Sequence, residues 1–305
     1  MVPPMMSRAP TDRNYVLPQG IGFATDDEQR LREALTAWGD AMDLANMAAN
    51  ADYSTDPAGV DVIFRRYFPD GTESRVQAVF QAIAGTDHNT IGNPLFATKF
   101  WVSNGFAPIG ETPANSPCFP PLNLKTYLRD AFRSSVPVSM SSRSLLSSAQ
   151  SPLGQDETPG DEVLVVCPPA WTYPSIHEIG TDCSGPLAQV SINMMSLGAL
   201  MLQDIVQWPW IRRNNPLTSP AIQDLHGAVN YDQNNLWNAV LLPQFEVNGQ
   251  NYGSLALRNA WSYVWFALDN YYYQVCGSVR QPAPVPPGSV CLINAIWLQT
   301  WGVRP

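Results

Sequence analysis

The sequence predicts an α+β domain, mostly helical, with long irregular loops. Three observations predict it. The stretch 195–208 is apolar with a helical period and stops before Pro209. The first third carries three more helical stripes joined by short links, and only two short runs, 95–103 and 162–167, read as strands. A chain of 305 residues with 45% apolar residues is long and apolar enough to bury a full core. Its 28 prolines and 20 glycines point to the irregular connections. No internal repeat or long linker divides the chain. The reading is an extended, Pro-rich arm over 1–22 and a single domain over 23–305.

Taken in order, the elements have local causes. Thr25-Asp26-Asp27-Glu28 reads as a capping box. The helix it opens carries Leu31, Leu35, Trp38, Met42 and Ala45 on one stripe and fades at Asn50-Ala51-Asp52. Asp56-Pro57 reads as an N-cap followed by an N1 proline, opening a helix through Val60, Phe64 and Tyr67. Pro69-Asp70-Gly71 breaks the chain, and 72–84 is a third helix facing in through Val76, Val79, Phe80 and Ile83. A strand over 95–103 follows. Residues 104–161 form a long Ser- and Pro-rich loop with one expected helix near 124–132; a loop of that length is functional or mobile. Glu162 to Cys167 is a buried strand ended by Pro168-Pro169.

Beyond the 195–208 helix, Ser219-Pro220 opens a helical segment through Leu225, and 234–242 is helical. Val247-Asn248-Gly249-Gln250 is a turn. Residues 255–275 form the longest apolar helix. Its aromatics, Trp261, Tyr263, Trp265, Phe266, Tyr271, Tyr272 and Tyr273, are expected in the core rather than as a ligand platform. The apolar stretch 291–301 packs back on that core.

Charge and composition exclude several classes. The net charge of −9, with no Lys/Arg cluster, argues against nucleic acid and against docking on anionic membranes. No run of about 18 apolar residues is present, so no spanning helix is expected. Met1 to Arg8 does not read as a signal peptide, having no basic start and no apolar core. Gly-x-Ser-x-Gly, Rossmann and P-loop signatures are absent. Paired acids of the glycosidase kind need only a fold to unite them, and Glu162, Glu178 and Asp204 are not distinguished by sequence.

Five cysteines occur: Cys118, Cys167, Cys183, Cys276 and Cys291. The spacing fits two local disulfide loops, Cys167 with Cys183 and Cys276 with Cys291, leaving Cys118 single. The alternative is five buried thiols. Disulfides imply an oxidising compartment, hence an extracellular protein.

Inside the 195–208 helix stands Gln203-Asp204-Ile205-Val206-Gln207. With histidine for both glutamines and glutamate for Asp204 it would be the His-Glu-x-x-His zinc helix. In that helix, residues at i and i+4 hold the metal and the acid activates its water. Around it lie Val166-Cys167-Pro168-Pro169-Ala170-Trp171 with Cys183, and Asn259-Ala260-Trp261-Ser262-Tyr263-Val264-Trp265-Phe266-Ala267. Earlier come Ala41-Met42-Asp43-Leu44-Ala45 and Ile63-Phe64-Arg65-Arg66-Tyr67-Phe68. In this order the pieces, spanning about residues 26–276, resemble the secreted fungal zincin-like metallopeptidases of the deuterolysin, aspzincin and lysine-specific metallo-endopeptidase class. The resemblance implies a zincin-like domain and a third metal ligand, an Asp about twenty residues beyond the helix. Asp224-Leu225-His226-Gly227 is one candidate. Ala228-Val229-Asn230-Tyr231 is the other, and it puts Ala at the ligand position.

The departures fall on the metal site. Glutamine amides are weak zinc ligands, and Asp204 is one methylene shorter than a glutamate base. The expectation is a metallopeptidase-like protein without catalytic residues or cofactor. Its vestigial positions Gln203, Asp204, Gln207 and Asp224 would floor a polar cleft for a peptide, protein or small ligand. An active zinc endopeptidase with relocated ligands (His177, His226 and Asp224) is the alternative; a structural surface protein with no ligand is the second. His177 itself reads as a loop residue in the proline turn, and His88 carries no motif.

Overall fold

The computed structural model describes residues 15–18, 20–22, 28–53, 56, 58–85, 91–93, 100–103, 118, 126–130, 162–180, 183–185, 187–208, 210–211, 222–225 and 233–289. Among them the protein is mostly helical, with one mixed sheet and one small hairpin. The elements run β1 (Gly20–Gly22), α1 (Glu28–Ala49), α2 (Val60–Tyr67), α3 (Glu73–Ala84), β2 (Phe100–Ser103), β3 (Thr126–Asp130) and β4 (Glu162–Val166). Then come α4 (Ile176–Ile179), α5 (Leu197–Val206), α6 (Gln233–Leu241), β5 (Glu246–Val247), β6 (Gln250–Asn251) and α7 (Ala260–Cys276).

The sheet order is β1-β2-β4-β3. Parallel pairing of β1 with β2 is possible because α1 to α3 lie between them in the chain, and parallel neighbours need such a crossover. The strand β2 is also parallel to β4, whereas β3 is antiparallel to β4 at the edge, with Thr126 opposite Val166. The helix expected near 124–132 is therefore this strand. Thr126 and Tyr127 suit a pleated edge, and the partner ladder of β4 overrides the local helical pattern.

The long helix α1 is the central post. Its first turns are amphipathic; from Ala37 to Ala45 every residue is buried. It packs against α3, α5 and α7. Its crossing with α5 is close because Gly198 has no side chain. A Cβ there would lie 2.4 Å from the Asp40 Cβ and 2.8 Å from the Ala37 carbonyl oxygen. The aromatics of α7 are core, as expected: Trp261, Tyr263, Trp265, Phe266, Tyr271 and Tyr272 are all buried. Phe266 meets Phe64, Phe68 and Phe80 from α2, the residue after it, and α3.

Several boundaries move for identifiable reasons. The helix α2 begins at Val60 rather than beside Asp56, yet Asp56 still caps it, accepting from the Val60 N–H at 3.3 Å. The same carboxylate holds α7, because the Tyr273 hydroxyl donates to it at 2.7 Å. The long apolar helix expected from 255 is broken. Residues Gly253–Arg258 are a 3-10 turn and α7 starts at Ala260. The segment 222–225 is not helical, since Gln223 forms a bridge with Asn259 instead. At the predicted turn, Asn248 and Gly249 both take positive φ, 53° and 76°, which is the two-residue hairpin geometry.

Residues 15–18 and 20–22 are extended but held. Tyr15 bridges Ile91, the Trp38 indole donates to the Val16 carbonyl at 2.9 Å, and β1 lies in the sheet. The cysteine pairing differs from the expected local loops. Cys118 bonds Cys167 and Cys183 bonds Cys276. The fold brings distant cysteines together, with sequence separations of 49 and 93, a juxtaposition that sequence spacing does not encode. Cys291, the capping box at Thr25, Pro57, the serine-rich stretch and 291–301 lie outside the described residues.

Candidate functional site

The cluster forms at the C-terminal half of α5. Ser196 caps the helix, accepting from the Ala199 N–H at 3.1 Å. The helical period then places Gln203 and Gln207 on one face. The Gln207 amide spends both ends locally. Its Nε2 donates to the Gln203 carbonyl at 3.0 Å, and its Oε1 accepts from the Asp224 N–H at 3.0 Å.

Asp224 arrives through the Asn259-Ala260-Trp261 segment. The Gln223 N–H donates to the Arg258 carbonyl at 2.7 Å, and the Ala260 N–H returns to the Gln223 carbonyl at 2.8 Å. That short pairing fixes 222–225 beside the start of α7. Just beyond it, the Trp261 indole N–H reaches the Asp224 carboxylate at 3.4 Å. Of the two candidate third positions, the structure therefore unites Asp224 with Gln207; Ala228 to Tyr231 lie outside the described residues.

Asp204 faces β3 and Asp224. Burial pushes its carboxyl up to about 7, a hydrogen bond with Thr126 draws it down, and the nearby Asp224 carboxylate raises it again. Thr126 also lies 3.3 Å from the Leu200 carbonyl. Gln203, Asp204 and Asp224 are only 3%, 7% and 5% exposed. Gln203 Oε1 and Asp204 Oδ2 are buried without a hydrogen-bond partner. Leaving such atoms unpaired in a buried place is costly.

The donor set does not fit catalytic zinc. The metal prefers imidazole, thiolate and carboxylate, whereas the i and i+4 positions hold amides, one of them bonded at both its nitrogen and its oxygen. Among the described residues no group of three His, Cys, Asp or Glu is arranged to hold a metal.

The relocated set does not assemble around His177. That residue sits on the single turn α4, not in a loop; Ser175 and Glu178 form a reciprocal capping box there. Its Nε2 lies 3.8 Å from Asp40 Oδ1. Asp40 packs against Gly198, nine residues before Gln207 and so about 13 Å along the helix from it. His177 thus stands at the opposite end of α5 from Asp224. Glu178 is spent on capping, with the Ser175 N–H donating to it at 2.7 Å. His88, His226 and the Glu162 side chain lie outside the described residues.

Sequence reading missed two residues, one at each end of α5. Thr126 was hidden inside an expected helix. Asp40, buried and pushed up to about 7 mainly by desolvation, accepts from the Ile176 N–H at 2.9 Å and holds α4 to α1. Its signal was available: an acid on the inward, gap-free half of α1.

These features define, among the described residues, a mostly helical structure with a buried amide–carboxyl cluster between α5 and the 222–225 segment. No family model matches the chain, and a search of curated proteins returned no match. Among the described residues no helix is long and apolar enough to cross a membrane, and the two disulfides are consistent with an oxidising environment.

Proposed function

We propose that the chain is a secreted, zincin-like domain that has lost peptidase chemistry and acts by binding a peptide, protein or small ligand. One observation carries this reading. The three positions at which the resemblance expects metal ligands, Gln203, Gln207 and Asp224, converge on one end of α5 although Asp224 is 17 residues from Gln207. The positions are kept while both helix ligands are amides.

The test is elemental analysis after dialysis against trace zinc, paired with a peptide-hydrolysis assay. Less than about a tenth of an equivalent of zinc and no chelator-sensitive hydrolysis is the expected result, since amides are poor zinc ligands. Near-stoichiometric zinc with chelator-sensitive hydrolysis overturns it and restores the active endopeptidase. A structural protein with no ligand is the second reading, and the burial of Gln203, Asp204 and Asp224 favours it. Under that reading Gln207 is simply a clamp between α5 and the 222–225 segment.

A further inference from the structure

The two disulfides differ in where they lie. Cys118 and Cys167, which form one, are 2% and 0% exposed. Cys183 and Cys276, which form the other, are each half-buried, and their chain neighbours Ser184, Gly185, Gly277 and Ser278 are exposed. Cys183 lies in the turn beyond α4, and Cys276 is the last residue of α7. This second bond clasps a surface turn to a helix end. The chain on either side has other anchors. The Val190 N–H donates to the Gln281 carbonyl at 3.0 Å, and the Gln281 N–H donates to the Ala188 carbonyl at 3.1 Å. Arg280 is buried and donates to the Tyr272 carbonyl, while its own carbonyl accepts from the Arg66 guanidinium at 2.7 Å. These bonds remain when the clasp opens. Cys167, by contrast, follows β4 directly, so a reductant reaches its sulfur only by opening the core.

We infer that Cys183–Cys276 is a thiol-exchange site, opened in the folded protein by a small thiol or dithiol reductant, and that Cys118–Cys167 is a permanent staple. Exposed disulfides are the exchangeable ones, because the attacking thiolate must reach a sulfur. The helix end sets the direction. The unpaired carbonyls at the C-terminus of α7 disfavour a thiolate on Cys276, so Cys183 is the better leaving group. The incoming thiolate bonds to Cys276 Sγ and the bond between the two cysteines breaks. The electron pair leaves on Cys183 Sγ, which takes a proton from water. A second thiolate attacks the reductant's sulfur and releases Cys276, which is protonated in turn. Two electrons have then passed to the protein, and the reductant has become a disulfide. None of this rests on the cluster at the end of α5.

The experiment uses the full, folded chain with glutathione as the probe. Thiols that are free beforehand are blocked with one alkylating agent. Glutathione is added, exchange is stopped with a second, distinguishable agent, and the peptides are mapped by mass. The expected result is glutathione on Cys276, the second label on Cys183, and loss of the Cys183–Cys276 bond at least about tenfold faster than of Cys118–Cys167. Circular dichroism is unchanged once the clasp is open. In denaturant the two rates converge, because burial is what separates them. Equal rates in the folded protein, faster loss of Cys118–Cys167, glutathione on Cys183, unfolding on opening, or a rate difference that survives denaturation overturns the inference.

Discussion

Asp204→Asn at two pH values isolates the physical state of the cluster. The Asp204 carboxyl is buried and pushed up from 3.8 to about 7, chiefly by desolvation. A folded-state pKa above the unfolded one means that the native protein holds this proton more tightly. The stability that this contributes is complete below about pH 4 and is lost as pH rises through about 7. Between about pH 4 and pH 8 the loss is about 4 kcal/mol, from a shift of about three units at 1.36 kcal/mol per unit. Asparagine keeps the neutral shape at every pH. In chelator, wild type and variant should therefore unfold alike near pH 4. Near pH 8 the variant should be more stable by about 4 kcal/mol, a urea midpoint higher by about 1 M for a chain of this size. Asp40 is raised to a similar value and lowers both proteins equally, so the difference between them reports Asp204. The assay is urea unfolding followed by tryptophan fluorescence, with the disulfides intact. Parallel pH profiles would refute the argument, since they would mean that Asp204 is charged and solvated, or paired, throughout.

Three other outcomes are expected. Gly198→Ala drives a methyl into the Asp40 Cβ and the α1 backbone, and should cost about 2–3 kcal/mol or more by urea unfolding, with no change in pH slope. Arg66→Ala removes the ion-pair partner of buried Asp269, whose Oδ2 it meets at 2.8 Å, leaving the Tyr67 hydroxyl donating to that oxygen at 3.2 Å, and should cost about 3 kcal/mol above pH 7. Asp269 is pushed up to about 6 by burial against the pull of Arg66, so the loss should shrink below that pH as the acid protonates. Mass mapping of non-reduced peptides should join Cys118 to Cys167 and Cys183 to Cys276. Replacing Cys183 and Cys276 with serine, which opens a loop of 93 residues, should lower stability by about 4–5 kcal/mol.

Helical stripes were the most legible part of the fold. Trp38, Met42 and Ala45 in α1, Phe64 and Tyr67 in α2, and Val76, Val79, Phe80 and Ile83 in α3 are all buried as their period requires. The Asn248-Gly249 turn was equally plain, because only a few residues accept left-handed backbone. The edge strand β3 was not legible. Its pattern is short and ambiguous alone, and its ladder partner β4 lies some 30 residues away in sequence, with Thr126 facing Val166. The same limit hid the Cys118–Cys167 and Cys183–Cys276 pairs, for which spacing suggested nearer partners.

The candidate site divides along the same line. By itself the sequence determined that Gln203 and Gln207 share a helix face, since that follows from 3.6 residues per turn, and that neither is an imidazole. Only the tertiary structure decided that Asp224 meets that face, because a two-hydrogen-bond bridge between Gln223 and the Arg258–Ala260 backbone places it there. It alone also decided that Asp204 lies against Thr126 in a dry environment. Burial belongs to the packed assembly of α5, β3 and α7, and no local stretch of residues carries the desolvation that raises a carboxyl's pKa.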